Sequence, residues 1–246
     1  MDWFKDLYDD FRMRTGFGSI PEEQTKKEVD FLCRELGLSS GSNVLDLFCG
    51  PGRHCIELAK RGITAIGIEY NANYIAKAEE RAQEASVAST FIQGDVRDIS
   101  FGGEYDAVII MYQSFGYFTN SQDKEILKKV YFSLKDHGRF FIEILNRDYI
   151  LRNFKEKEEK IVEGIKVLEE RQFDILNSRV NSTITRFEEG GPVVKNMSWR
   201  LYSPHEIKNI LESIGFIFLV GYSSLNRDPI SLDTRLMRLI WEKNKC

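Results

Sequence analysis

Val44-Leu-Asp-Leu-Phe-Cys-Gly-Pro-Gly52 decides the fold of this 246-residue chain. An apolar run closes on Asp46, a glycine turn follows, and residues 53–61 read as the start of a helix. A strand feeding a glycine-rich turn and a helix N-terminus lets a ligand come close to the backbone of a parallel sheet. The turn needs residues without Cβ bulk, and the unpaired N–H groups of the helix point at the ligand. The stretch Gly62-Ile-Thr-Ala-Ile-Gly-Ile-Glu69 then gives a second strand, Thr64–Glu69, apolar enough to be covered on both faces. It ends in an acid placed to accept two ribose hydroxyls.

Nicotinamide dinucleotides use such an acid too, but they also need a G-x-G-x-x-G cradle for the pyrophosphate. Here the glycines are Gly50 and Gly52, with Cys55 in the third place. Asp46 adds a negative charge just before the turn, a poor neighbour for a pyrophosphate and a good one for a cation or an amine. The site therefore reads as built for an adenosyl group without phosphates.

Asp46–Gly52, Glu69 and the later Gly94-Asp95 resemble the cofactor motifs of class I S-adenosylmethionine-dependent methyltransferases, and the small-molecule branch of that family in particular. The resemblance implies S-adenosyl-L-methionine as cofactor. It puts Gly50 and Gly52 under the methionine and ribose, Glu69 on the ribose and Asp95 on the adenine amine. Asp46 orients the loop and approaches the methionine amino end. Phe48 departs from the pattern, because the family usually has glycine there, and an altered loop is expected. Arg53, beside the helix N-terminus, is expected to attract the methionine carboxylate, and the Val96 backbone N–H to meet an adenine ring nitrogen. Tyr70, Met111 and Gln113 complete the expected cofactor wall.

Length and composition fit one α/β domain with an insertion. The apolar runs are too short to span a bilayer, and Met1-Asp-Trp-Phe is no signal peptide, so the expected location is cytoplasmic. Cysteines at 33, 49, 55 and 246 form no C-x-x-C pair and only three histidines exist, so no metal site is expected. The net charge of -4 and the mixed cluster at 155–160 argue against nucleic acid as a partner.

Residues 3, 4, 7, 8 and 11 predict a short amphipathic helix, and Pro21 opens a second over 22–36 that stops at Gly37. Together, residues 1–40 read as N-terminal helices, partly a lid over the site. Residues 41–149 and 203–246 form the core. A helix capped by Asn71 or Asn73 is expected to pack through Tyr74, Ala78, Ala82 and Ala85, and the fifth strand to span 138–145. Residues 150–202 leave the βα rhythm: the stretches 180–187 and 193–201, parted by Glu189-Gly-Gly-Pro192, predict an antiparallel insertion of two to four strands. It would serve as a cap or a dimerisation element, leaving the protein a monomer or a homodimer. Strands 216–222 and 236–242 are joined by a loop without a helix, so they must pair antiparallel. The expected fold is thus a Rossmann-like, doubly wound α/β sheet of seven strands. With the resemblance its order is 3-2-1-4-5-7-6, strand 7 antiparallel, plus the β-rich insertion after strand 5.

Three residues are candidates for catalysis. Glu143 interrupts the apolar run of a central strand, where a lone carboxylate must find a polar cavity or a partner such as Arg147 or Arg200. Tyr112 follows the fourth strand, where a π face suits a sulfonium. His54 begins the helix beside the turn and serves as a base, a cofactor contact or packing. Acceptor contacts are expected from Tyr8, Arg12, Tyr117, Asn146, Arg147 and Arg200. The activity so implied is methyl transfer by in-line displacement to a nitrogen, oxygen or sulfur of a small molecule. An RNA or protein methyltransferase, a nicotinamide oxidoreductase and a non-catalytic binding scaffold remain as alternatives.

Overall fold

The computed structural model describes residues 2–17 and 19–245, with nothing of the Phe17 side chain; Met1 and Cys246 of the sequence reading lie outside them. The chain opens with two short helices, α1 (Phe4–Leu7) and α2 (Asp10–Arg12), and α2 runs on into a π-helical turn, Met13–Phe17. A single helix was expected from the apolar spacing. Asp9 divides it: its backbone is extended and its side chain accepts from Arg12 N, capping α2 afresh. Helix α3 (Glu22–Leu36) follows, ended by Gly37 in the left-handed conformation.

The core then alternates as β1 (Asn43–Leu47), α4 (Arg53–Ala59), β2 (Thr64–Glu69), α5 (Ala72–Glu84), β3 (Thr90–Gln93), β4 (Tyr105–Ile110), α6 (Asn120–Ser133) and β5 (Leu134–Leu145). Helix α5 is capped by Asn71 and buries Tyr74, Ile75, Ala78 and Ala82; Ile75 takes the place expected of Ala85, which is only half-buried. Strand β5 starts four residues before Gly138, because Leu134 pairs with Tyr105 ahead of a bulge. After the short helix α7 (Arg147–Arg152) come β6 (Lys157–Val162), β7 (Ile165–Asp174), β8 (Arg179–Glu188) and β9 (Gly191–Arg200). Helix α8 (Pro204–Ile214) and the strands β10 (Phe216–Tyr222) and β11 (Leu236–Lys243) close the chain.

The main sheet has the order β10-β11-β5-β4-β1-β2-β3, parallel except for β11, which runs antiparallel to both neighbours. Counted along the core this is 3-2-1-4-5-7-6, as the sequence implied. Alternate residues of its strands face two cores. Val44, Ala107, Ile109 and Phe141 pack with Phe31 and Leu32 of α3, and Leu45, Val108, Ile110 and Phe140 pack with Ile126 and Leu127 of α6.

The insertion is a four-stranded antiparallel sheet, β6-β7-β8-β9. It is tied to the core where the chain passes Gly116: Arg200 N donates to Gly116 O at 2.8 Å. A Cβ on Gly116 would collide with the Arg200 carbonyl oxygen, so only glycine permits this approach. Arg179 adds a bond from Nη1 to Phe118 O at 2.8 Å.

Candidate active site

The turn between β1 and α4 is left-handed at three residues, Phe48 (φ 61°), Gly50 (φ 54°) and Gly52 (φ 74°). The departure at Phe48 is thus explained: a position that favours glycine carries a phenylalanine whose ring is held by Tyr117 at 5.7 Å and stacks on Phe118. Gly52 cannot be replaced in this way, since its Cβ would sit 2.7 Å from the Phe91 ring and 2.8 Å from Ala78 Cβ. Gly50 N donates to Glu69 Oε2 at 3.1 Å, and Asn71 N to Glu69 Oε1 at 2.9 Å, so the acid fixes the turn across the sheet. Burial raises the pKa of Glu69, partly offset by these N–H groups and that of Tyr70.

Beyond the carboxyl ends of β1, β2 and β3 lies a cavity of about 600 Å³, its open mouth included. Gly50, Glu69, Tyr70, Gly94, Asp95 and Val96 line its core side; Phe4, Lys5 and Tyr8 close it from the N-terminal segment. Tyr8 Oη and Tyr117 Oη are hydrogen-bonded at 2.5 Å, and Asn71 Nδ2 donates to Tyr8 O at 2.6 Å. Asp9 and Arg186 form an ion pair at 2.7 Å that ties the same segment to β8. Asp95 meets the cavity with its carboxylate engaged: Arg97 donates to it from Nε at 2.9 Å and Nη2 at 2.6 Å. Burial works against its ionisation, yet Arg97 holds the pKa below the usual range. Asn71, Tyr74 and Ser114 line the cavity as well and carried no sequence signal beyond helix capping and packing.

A second chamber of about 300 Å³, measured in the same way, adjoins the first through Phe48 and Ser114, which line both. Asp46, Arg53, His54, Met111 and Tyr112 bound it. Asp46 is buried at the end of β1; Cys55 Sγ approaches its Oδ2 at 3.6 Å, while Oδ1 has no partner. Burial pushes the Asp46 pKa up to about 7, against the pull of Cys55 and the Arg53 charge. Arg53 Nη1 donates to Glu28 Oε2 at 2.5 Å and to Thr25 Oγ1 at 2.9 Å, and its Nη2 is buried without a partner. Asp46 and Arg53 thus line one small chamber, and each has a buried polar atom without a hydrogen-bond partner.

His54, a candidate base, is buried with Nε2 3.0 Å from Glu28 Oε2. Burial and the neighbouring Arg53 charge depress its pKa to about 4, so it is neutral and donates from Nε2. Tyr112 Oη donates to Glu28 Oε1 at 3.1 Å, and burial raises its pKa to about 12. Glu28 itself was missed. The signal available was its place on the buried face of α3, with Thr25, Val29 and Leu32 at helical spacing.

The remaining expected site residues go elsewhere. Glu143 lines neither chamber, and its partner is neither Arg147 nor Arg200. It is the cross-strand neighbour of Arg238 on β11, with Arg238 Nε 2.9 Å from Oε2 in a charge contact without hydrogen-bond alignment. Burial raises its pKa against the Arg238 charge. Its Oε1 accepts from Tyr112 N at 3.2 Å, and its carbonyl from Gln113 N at 3.1 Å. Those two residues are left-handed, with φ of 53° and 62°, so Glu143 braces a strained turn after β4. Gln113 itself borders a separate pocket with Arg200. Asn146 caps α7 and donates from Nδ2 to Thr234 O. Arg147 pairs with Asp148, and Arg200 with Glu206 and Asn120. Arg12 stays off both chamber walls, although its charge is felt by Tyr8 and Tyr117.

The doubly wound sheet with one antiparallel strand matches the Rossmann-like fold of methyltransferases. Residues 44–138 match the family described as methyltransferase domain. It is 30% identical over 139 residues to the putative methyltransferase YqeM of Bacillus subtilis, covering 52% of this chain and 54% of that protein. It is 29% identical over 133 residues to a glycine/sarcosine N-methyltransferase of Halorhodospira halochloris, covering 53% of this chain and 50% of the other. The chain thus spans about half the length of these curated relatives. The structure of the CcbJ methyltransferase from Streptomyces caelestis superposes with a TM-score of 0.82, at 18% identity, over 99% of this chain and 97% of that one, a likeness of fold. Among the described residues no helix is long and apolar enough to cross a membrane.

Proposed function

We propose that this protein transfers the methyl group of S-adenosyl-L-methionine to a nitrogen, oxygen or sulfur of a small molecule. The observation that carries the reading is that Asp46 and Arg53, each with a buried polar atom left without a partner, line one chamber adjoining the cavity that Glu69 lines. A carboxylate and a guanidinium so placed complement an ammonium and a carboxylate, the two charges of an α-amino acid. The larger cavity offers Glu69 for a ribose and Tyr70, Asp95 and Val96 for an adenine. The residues present fit the group.

The bound cofactor supplies an electrophilic methyl on a sulfonium that is already a good leaving group. What remains for the protein is to bind, aim and exclude water. Glu69 and the Asp46–Arg53 pair would hold the two ends. Phe4, Tyr8, Tyr117 and Phe118 wall the space between with aromatic faces, which favour a cation. The N-terminal segment acts in this reading as a lid, and its ion pair from Asp9 to Arg186 links the lid to the β-rich cap. An open groove runs between that cap and the start of α6, and shares Tyr117 and Phe118 with the cofactor cavity. The acceptor approaches along it. Among the described residues the thiols of Cys33, Cys49 and Cys55 are unbridged, which supports a cytoplasmic location.

The test is a screen with labelled methyl donor across metabolites, peptides and RNA. Label is expected in a small molecule, in analogy with the relative that methylates glycine and sarcosine. Preferential labelling of RNA or of a folded protein would overturn the small-molecule reading.

A further inference from the structure

We propose that Glu28, on α3 and outside the glycine-turn region, is a positioning residue: it holds Arg53 as the clamp for the donor's α-carboxylate and so makes the site prefer adenosyl ligands with an intact amino-acid end. The inference rests on the methyltransferase reading above and deepens it.

Glu28 is buried and takes four donors from three parts of the chain. Oε2 accepts from Arg53 Nη1 at 2.5 Å and His54 Nε2 at 3.0 Å; Oε1 accepts from Gln24 Nε2 at 2.8 Å and Tyr112 Oη at 3.1 Å. His54 is neutral, so Arg53 is the cation that compensates the Glu28 charge. A guanidinium is planar and rigid, so anchoring Nη1 on Glu28 and Thr25 also fixes the direction of Nη2. The Tyr112 ring, itself tethered to Glu28, lies 4.4 Å from the Arg53 guanidinium carbon and stacks on it. Thr25 and Tyr112 orient Arg53, but neither carries a charge that could hold it.

The anchor matters because Asp46 lines the same chamber and has a buried oxygen without a partner. Two opposite charges in a small, poorly solvated space attract strongly. Released from Glu28, Arg53 would turn to Asp46, and the two groups meant for the ligand would satisfy each other. Glu28 keeps them apart and thereby keeps both available.

Two ligands separate this role from a general structural one. S-Adenosylhomocysteine carries the amino-acid end, and 5′-methylthioadenosine has the same adenosyl end without it. Calorimetric titration of the wild type and of Glu28→Gln with both is the experiment. S-Adenosylhomocysteine is expected to bind the variant about tenfold more weakly, the worth of one charged hydrogen bond, with methylthioadenosine within about twofold of wild type. Equal losses for both ligands, or no loss, would overturn the proposal. Should Glu28→Gln lose its near-ultraviolet circular dichroism, Glu28→Asp keeps the charge but is one methylene short. It is expected to show the same ligand-selective loss in smaller measure, and a non-selective loss there overturns the proposal equally. A wild-type protein that binds neither ligand would strike the methyltransferase reading itself.

Discussion

The two chambers of the site are built in opposite ways. The adenosyl side is assembled from residues that end successive strands: Gly50 after β1, Glu69 at the end of β2, and Asp95 after β3. A parallel sheet brings such positions together by its topology, so each can be recognised from a short stretch of sequence. The amino-acid side depends on Glu28, reached from α3, and on Tyr112, set by a strained turn that Glu143 braces from the neighbouring strand. Its chemistry comes from long-range contacts and from burial, which decides that Asp46 holds a proton up to about pH 7 and that His54 stays neutral down to about pH 4. In the proposed reading, local motifs specify where the ligand lies and buried charge specifies which ligand.

The sharpest break is expected at the turn the chambers share. Gly52→Ala puts a Cβ against Phe91 and Ala78 in a left-handed backbone. Strain and overpacking together are expected to cost about 2–4 kcal/mol of stability, read as a drop in melting temperature, with binding of every adenosyl ligand weakened. An unchanged melting curve would show that the turn can relax.

Glu69→Ala sharpens the comparison from the adenosyl side. It removes a charged acceptor for ribose hydroxyls and a support of the Gly50 N–H. Affinity is expected to fall by about tenfold or more, and equally for S-adenosylhomocysteine and methylthioadenosine. A loss confined to S-adenosylhomocysteine would place the ribose elsewhere.

The pH dependence sharpens it from the other side. In the ligand-free protein the Asp46 pKa is raised from 3.8 to about 7. The folded state therefore holds a proton there that the unfolded chain has lost, and the Asp46 contribution to stability falls as pH rises from about 4 to 7, then levels. An ammonium in the chamber favours the carboxylate, so binding below pH 7 must release that proton. Affinity for S-adenosylhomocysteine is expected to rise with pH up to about 7, by at most about tenfold per unit, and then flatten. Methylthioadenosine should show no such slope, and Asp46→Asn should abolish it. Parallel slopes for both ligands would assign the proton to another group.

The smallest expected effect is at the lid. Tyr8→Phe removes the Tyr8–Tyr117 bond, worth about 1 kcal/mol. Release of S-adenosylhomocysteine, followed by stopped-flow fluorescence, is expected to quicken by about fivefold. No change would mean that the aromatic contacts of Phe4 and Trp3 alone hold the segment.

The same division explains what could be read from the sequence. The seven-stranded order was legible because each βα unit carries its own strand, turn and helix stop, and because the loop after β10 is too poor in helix signal for a parallel return. Glu143 was legible as an anomaly but not as to partner, since Arg238 lies on β11 and meets it only through sheet register. Asn146, Arg147 and Arg200 looked like acceptor contacts because polar residues near a strand end usually face the cleft. Here capping and the ion pair with Glu206 consume them. Glu28 was overlooked, despite its spacing from Thr25 and Leu32, because a glutamate in a helix beginning Glu-Glu-Gln-Thr-Lys-Lys reads as solvated surface until α4 is packed against it.

The central claim is that the paired chambers take one adenosyl amino acid. Calorimetric titration of the wild-type protein with S-adenosylmethionine at pH 7.5, beside a titration with NADH, tests it most directly. Binding of one S-adenosylmethionine per chain with no heat from NADH is the predicted result. Tight binding of NADH with silence toward S-adenosylmethionine would contradict it.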